Sequence, residues 1–478
     1  MITFLVGLLI LFLGYLFYSN YVEKQFSPTN AETPAIKIND GRDYVPMGTK
    51  RTALIQLLNI AGVGPLLGAV QGILFGPVAF ILIPLGCILM GGVHDYFSGM
   101  ISLKNNGMQV TGLIKKYLGK NAYYIFLTVV SIMLLLIAAV YTYTSGDLIA
   151  ERYFNITDFS LTNPVMLTIY SIIILYFLVA TLFPVDKIIG RIYPLFGFLL
   201  IFGTGAVLCG FIFHGITLQE LDFRNLNLHP EHLALIPFFF MTVSCGMLSG
   251  FHSTQSTIVS RTLTSEHDGK KVFYGMMCLE SIIAMIWAAG AMHVYAHGLV
   301  PTEFIGKANV LNIITDNFVP YYVAFIVTCA IVILPITSGD TTLRSLRLSI
   351  AEALNLNQVS VKNCLVITIP AIILLVCVLF VAKLNNELFF MVWRYFTFVN
   401  QVIATLTFFY STVYLYNKGK NYFITLIPAI FFTFVTSVFI LNAKIGFNLN
   451  LTYAEVFASV FSILAIIWLV RKMKTFKD

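Results

Sequence analysis

His252 is the residue best placed in this sequence to move a proton, and its neighbours are of the kind that bind small polar molecules. It sits in the run Cys245-Gly246-Met247-Leu248-Ser249-Gly250-Phe251-His252-Ser253-Thr254-Gln255. An imidazole titrates near neutral pH. Here it could carry a proton, donate to a carboxylate substrate, or brace a bend. The surrounding apolar run is long enough to cross a membrane, and small and polar residues interrupt it at its middle. A helix broken there frees backbone amides and carbonyls, which hydrocarbon tolerates only against protein or a water-filled cavity. The interruption therefore reads as half of a transport site.

A second interruption lies in Gln56-Leu57-Leu58-Asn59-Ile60-Ala61-Gly62-Val63-Gly64-Pro65. Gly62, Gly64 and Pro65 are poor helix formers; alone they could equally be a packing face of small residues. Taken together, the two breaks nominate a substrate site of Asn59, Gly62, Val63, Gly64, Ser249, Gly250, Phe251, His252 and Gln255. Helix amino ends at the breaks would hold an anion such as a carboxylate.

Ionisable groups inside membrane helices are costly, so each is a functional candidate. Asp95 follows His94 after Gly91-Gly92, where a structural pair is the competing reading. Glu280 stands among apolar residues and is expected to be protonated or paired. Thr337 and Ser338, in Leu334-Pro335-Ile336-Thr337-Ser338-Gly339-Asp340, could ligate a hard cation such as sodium with free carbonyls, or bond back to their own helix. Asp340 is four residues from Arg344, the spacing of a helical ion pair. Asn400-Gln401 are expected to bond across helices. His293 with His297, and His229 with His232, lack the further ligands of a zinc site. No nucleophile–base pair, P-loop or dinucleotide fingerprint is present, which argues against an enzyme and against any cofactor beyond a coupling ion.

The chain that positions these residues has 478 amino acids, 58% of them hydrophobic and 11% charged. Soluble domains carry about 25% charged residues, so this is an all-α integral membrane protein with no nucleic-acid role. Seven cysteines, none in a CxxC pair, indicate neither a disulfide framework nor zinc. The first apolar segment lacks a cleavage site and reads as a retained helix. Roughly thirteen spans are expected, near 2–20, 52–74, 77–102, 121–144, 164–183, 192–214, 234–260, 272–292, 319–340, 362–382, 388–416, 421–441 and 453–470. Connections on one side hold 23 of the 29 Lys and Arg, including Arg42, Lys187 and Lys477, while Lys307 is among the few opposite. The positive-inside rule then puts the amino terminus outside and the carboxyl terminus in the cytoplasm of a bacterial plasma membrane. The two broken spans are five helices apart and run in opposite directions, which predicts an inverted repeat. On this reading residues 1–51 are a leading helix and loop, 52–214 and 215–416 the repeats, and 417–478 two closing helices.

These segments resemble the carbon-starvation protein family of bacterial inner-membrane transporters. The resemblance rests on Asp40–Pro46, Ala61–Gly68, Phe183–Pro194, Ser249–Ser256, Val272–Gly275 with Glu280, Leu334–Asp340, Trp393–Phe396 and Asn400-Gln401. Where the family often carries a His-His pair before the first break, this chain reads Ile55-Gln56. The family is associated with uptake of pyruvate and of peptides. Its grouping with the amino acid–polyamine–organocation superfamily implies a leucine-transporter-like five-plus-five fold, here with one helix before and two after. It also implies a sodium site at Thr337 and Ser338, whereas pyruvate uptake implies protons. The expected function is import of a small carboxylate or short peptide during carbon starvation. A membrane sensor binding the same ligand without moving it, and a channel, are the alternatives.

Overall fold

The computed structural model describes residues 1–476 apart from 42, 157, 183–188, 303–304, 306–308, 359 and 385. Arg42, Lys187, Lys307, Lys477 and the first half of the Phe183–Pro194 motif therefore lie outside the described residues, as do the side chains of 189–194. Among the described residues the regular elements are helical, with one isolated backbone bridge between Met47 and Leu263. Eleven of these helices are long and apolar enough to cross a membrane, or twelve when one bent pair counts as a single span. This is a multi-pass membrane protein. The stretch 234–260, expected as one span, is not a continuous helix, so the number of crossings depends on how it is counted.

The elements that position the site are α1 (Ile2–Phe26), α2 (Thr49–Ile60), α3 (Val63–Gly72), α4 (Ala79–Lys104), α5 (Lys120–Phe154), α6 (Pro164–Leu182), α7 (Ile189–His214), α8 (Phe251–Val259), α9 (Glu266–Ala296), α10 (Tyr321–Leu354), α11 (Val361–Leu384), α12 (Asn386–Asn417), α13 (Phe423–Asn442) and α14 (Leu451–Thr475). Local sequence sets several of their ends. α5 and α10 each stop at an asparagine in the left-handed region, Asn155 at φ 53° and Asn355 at φ 52°, where a short polar side chain is tolerated. Pro335 inside α10 has no N–H to return to the preceding turn, two residues before Thr337.

α5 and α10 pack along one another, and α6, α11 and α12 also lie against α5. The short helices α2 and α8 are enclosed: α2 contacts α7, α8, α9 and α10, while α8 contacts α4, α10 and α12. α3 runs along α9. α13 and α14 pack on each other beside α12, and α1 against α4. Exposed Leu, Ile and Phe side chains cluster on α1, α11 and α14, as a lipid-facing surface requires. Polar side chains instead fill the centre: every residue of α8 is buried, as are Gln56 and Asn59 of α2 and Thr337–Ser349 of α10.

Candidate transport site

Two chain breaks form the site. α2 stops because Ala61 (φ −78°, ψ 55°) and Gly62 (φ −70°, ψ −159°) leave helical geometry. The axis turns by 53° between α2 and the helix that follows. Pro65 falls in the first turn of α3, where its missing N–H would have had no intrahelical partner. At the second break, short helical turns over 235–242 end at Val243 (φ −94°, ψ 39°), Gly246 takes φ 86°, and α8 starts at Phe251. The breaks touch. A methyl group on Gly64 would lie 2.5 Å from Cys245 Sγ, so only glycine lets them approach this closely.

α12 satisfies much of what the second break frees. The Phe251 N–H donates to Asn400 Oδ1 at 2.7 Å, and the Ser249 hydroxyl to the same oxygen at 3.2 Å. Gln401 Nε2 donates to the Leu248 and Phe240 carbonyls at 3.1 and 3.3 Å. This revises one expectation: the amino end of α8 already has an acceptor, so Ser249, Gly250 and Phe251 form a wall braced by α12. The cap residue of α3, Gly62, has no side chain to supply a cap, and its own N–H donates to the Ile60 carbonyl at 2.8 Å. The Val63 side chain lies outside the described residues. Asn59, four residues before it, is fully buried, and neither end of its carboxamide finds a hydrogen-bond partner among the described residues. Gln255 turns toward α10, donating to Ser345 Oγ at 3.3 Å and to Thr254 Oγ1 at 2.9 Å. Gln56 Nε2 links α2 to Ser256 of α8 at 3.2 Å.

Tyr141 of α5 is a member that sequence reasoning missed. Its ring meets that of Phe251 edge-on, centroids 6.3 Å apart, and its hydroxyl lies over Gly62, 2.4 Å from where a Cβ would be. The signal available was the polar run Tyr141-Thr142-Tyr143-Thr144-Ser145 inside an otherwise apolar span.

The ionisable candidates from three separate spans converge. Asp95 (α4) is bracketed by His94 Nδ1 at 2.8 Å on Oδ1 and by His252 Nδ1 of α8 at 3.0 Å on Oδ2. His252 Nε2 faces Glu280 Oε1 of α9 at 3.6 Å. All four side chains are fully buried. His252 thus does more than brace the bend: it joins the break to both carboxyl groups.

On the other side of α2, Ser338 Oγ of α10 donates to the Leu58 carbonyl at 3.0 Å. Thr337 Oγ1 instead bonds back to the Leu334 carbonyl at 2.9 Å. Asp340 Oδ2, two residues on from Ser338, accepts from the Tyr176 hydroxyl of α6 at 3.4 Å. Arg344 reaches Asp43 Oδ1 at 3.4 Å and the Ala180 carbonyl at 2.9 Å. In the outer pair, the rings of His293 and His297 stand 4.1 Å apart, and His293 Nδ1 accepts from the Thr217 N–H at 3.2 Å. Among the described residues no group of three or more His, Cys, Asp and Glu has the arrangement to hold a metal ion.

The family profile described as carbon starvation protein CstA matches residues 1–168, 141–306 and 289–438. The chain belongs to the carbon starvation protein CstA family. It is 36% identical over 340 residues to an "Uncharacterized membrane protein" of Haemophilus influenzae, covering 62% of this chain and 91% of that one. It is 27% identical over 337 residues to the Escherichia coli "Pyruvate/proton symporter BtsT", covering 57% of this chain and 46% of that one. It is 26% identical over 340 residues to the Escherichia coli "Peptide transporter CstA", covering 57% and 47%. The chain thus spans about half the length of these two transporters. Among solved structures, MhsT in complex with L-phenylalanine superposes with TM-score 0.58 at 13% identity, over 89% of this chain and 99% of that one. An Eremococcus coleocola manganese transporter superposes with TM-score 0.57 at 13% identity, over 92% and 99%. The fold is therefore that of leucine-transporter-like carriers.

Proposed function

We propose that this chain is a secondary active transporter that imports a small carboxylate, pyruvate-like, or a short peptide through the site between its two helix breaks. The observation that carries the reading is the meeting of both breaks around buried polar groups, with the His94–Asp95–His252–Glu280 cluster adjoining them. Structural helices have no reason to desolvate such groups at a discontinuity, whereas carriers place substrate and coupling ions there. Two relatives, named as a pyruvate/proton symporter and a peptide transporter, supply the substrate classes.

The carboxylate would lie at the amino end of α3, against the amides of Val63 and Gly64 and the Asn59 carboxamide, with Tyr141 and Phe251 closing over it, since the Gly62 N–H already donates to the Ile60 carbonyl at 2.8 Å. Coupling would run through His252, Asp95 and Glu280 for protons, or through Ser338, Thr337 and the Leu58 carbonyl for sodium. Asp340, two residues past Ser338 on α10, is the further coupling candidate on that side. Uptake of labelled pyruvate and of a labelled dipeptide into proteoliposomes, under imposed proton or sodium gradients, tests this. Accumulation against the substrate gradient is expected. Binding without flux under either gradient would replace the transporter by a sensor, and equilibration without accumulation would make it a channel. Gradient-driven uptake left intact by combined Thr337→Ala and Ser338→Ala would remove the sodium site.

A further inference from the structure

We infer that the cluster holds one exchangeable proton, shared between His252 Nε2 and Glu280 Oε1, and that Asp95 and His94 are positioning residues that fix the His252 tautomer. The inference rests on the transporter reading only for the use made of that proton, because its location follows from the geometry of four side chains.

Asp95 is touched by two imidazoles through the same ring atom, Nδ1, one on each oxygen, at 2.8 and 3.0 Å. A carboxyl group carries at most one proton, so it can donate to only one of them. The other imidazole must be the donor. With Asp95 ionised both imidazoles donate, and hydrogen bonds to a carboxylate are roughly twice as strong as neutral ones. That arrangement satisfies both oxygens with no proton of Asp95's own.

A neutral imidazole that donates through Nδ1 has a lone pair on Nε2. For His252 this lone pair faces Glu280 Oε1 at 3.6 Å, and neither atom has a hydrogen bond of ordinary length among the described residues, although the Gly246 N–H on the second break also lies toward the Glu280 carboxyl group. Two acceptors facing each other out of water repel. One proton between them removes the repulsion, whether it rests on Glu280 and points to Nε2, or rests on Nε2 and points to the carboxylate, and a small closure of the 3.6 Å gap makes it a hydrogen bond. His94 differs. Its Nε2 also has no partner among the described residues, none of whose carboxyl groups pairs with that atom, and its ring lies edge-on to Phe408 with centroids 5.5 Å apart. His94 orients Asp95, and Asp95 orients His252, as outer ligands orient a working imidazole in other sites. The other titratable groups turned toward Glu280 are Cys87 of α4, Cys245 on the second break, and Tyr141 of α5.

The two sides of the shared proton sit on elements tied to different breaks. His252 is on α8, which begins at the second break. Glu280 is on α9, along which α3 runs after the first. A ligand that draws the breaks together or apart changes the His252–Glu280 separation and with it the hold on the proton. Loading adds one proton and one positive charge to the cluster, and release returns both to water.

The test uses the full chain in lipid nanodiscs. Infrared difference spectra across pH report protonated carboxyl and imidazolium groups in one measurement. The expected result is a single titration step from the cluster. Glu280→Gln abolishes it. Asp95→Asn keeps the step but lowers its midpoint by about one pH unit or more, roughly tenfold in proton affinity, because a negative charge beside His252 is gone. His94→Leu moves the midpoint, and His94→Asn, whose amide can still donate to Asp95, restores it. A step that survives Glu280→Gln, or that Asp95→Asn abolishes, overturns the inference. So does pH-gradient-driven uptake in proteoliposomes that Glu280→Gln leaves intact, although the transporter reading would stand. If the step behaves as expected while wild-type protein moves neither pyruvate nor dipeptide under any gradient, the proton site stands and the transporter reading falls.

Discussion

Replacing Asn400 with leucine should loosen the first turn of α8 without disturbing the rest of the bundle. Asn400 is fully buried and close in size to leucine, so the change removes an acceptor and leaves little cavity. The Phe251 N–H, held at 2.7 Å, would lose its partner. A buried amide left without an acceptor costs about 1–3 kcal/mol, and helix-cap deletions cost roughly 0.5–2 kcal/mol, so about 2 kcal/mol is a fair centre. The Ser249 hydroxyl loses little, because it can rotate toward Cys245 Sγ, which lies 3.6 Å away. Ser249→Ala added to Asn400→Leu should therefore cost almost nothing more. An opening free energy lowered by about 2 kcal/mol corresponds to roughly 30-fold faster local exchange. Hydrogen exchange of peptides covering 249–259, in nanodiscs, measures this without reference to any substrate. Asn400→Asp, which keeps the acceptor, should exchange more slowly than Asn400→Leu. Exchange in Asn400→Leu within threefold of wild type would refute the claim that α12 supplies the cap of α8.

Further expectations concern the other contacts around the site. Gly62→Ala should cost about 1–3 kcal/mol through overpacking, since its methyl would meet the Tyr141 hydroxyl at 2.4 Å and Cζ at 2.8 Å. Tyr141→Leu should relieve that cost in the double variant, and additive thermal shifts for the pair would show that the two do not touch. Asp43→Asn should lower thermal stability, because it removes a counter-charge from an Arg344 side chain only 1% exposed. Breaking such pairs costs roughly 3–5 kcal/mol when both members are buried, and less here because Asp43 is partly accessible. Adding Arg344→Met should recover part of the loss, and unchanged stability of Asp43→Asn would contradict the assignment. In the loop before the second break, burial pushes His229 below the ordinary histidine value of 6.5. Its ring lies against Phe75, centroids 4.6 Å apart. A histidine held neutral by the fold contributes stability that is present above its unfolded value and lost as pH falls below 6.5 through the folded value. Limited proteolysis of 222–234 should accelerate over that window in wild type and not in His229→Gln.

The breaks were legible because their cause is local. Gly62, Gly64 and Pro65, and the run from Cys245 to Gly250, cannot continue a helix comfortably whatever surrounds them. Asp95, His252 and Glu280 were each conspicuous, since a charge in an apolar span needs a reason. What remained hidden was that they meet: His252 and Asp95 are 157 residues apart, and no periodicity within one span reports contact with another. Asn400-Gln401 read as cross-helix bonding, but their targets, the Phe251 amide and the Leu248 and Phe240 carbonyls, exist as free groups only once the second break has folded. The same holds for Ser338: a hydroxyl on α10 could bond to its own helix, as Thr337 does, or across to another, and the sequence has no term that separates the two.

Hydropathy and charge asymmetry, then, are properties of segments against water and lipid. They settled that this chain is a multi-pass helical protein and where its helices would fail. The pairing of polar groups is a property of the packed interior, where each buried donor or acceptor must find whichever partner the other helices bring within about 3 Å. That pairing turned the break around His252 from an isolated interruption into the junction of four elements. It closed the amino end of α8 with Asn400, put the glycine cap of α3 beside Asn59, and set His252 between two carboxyl groups.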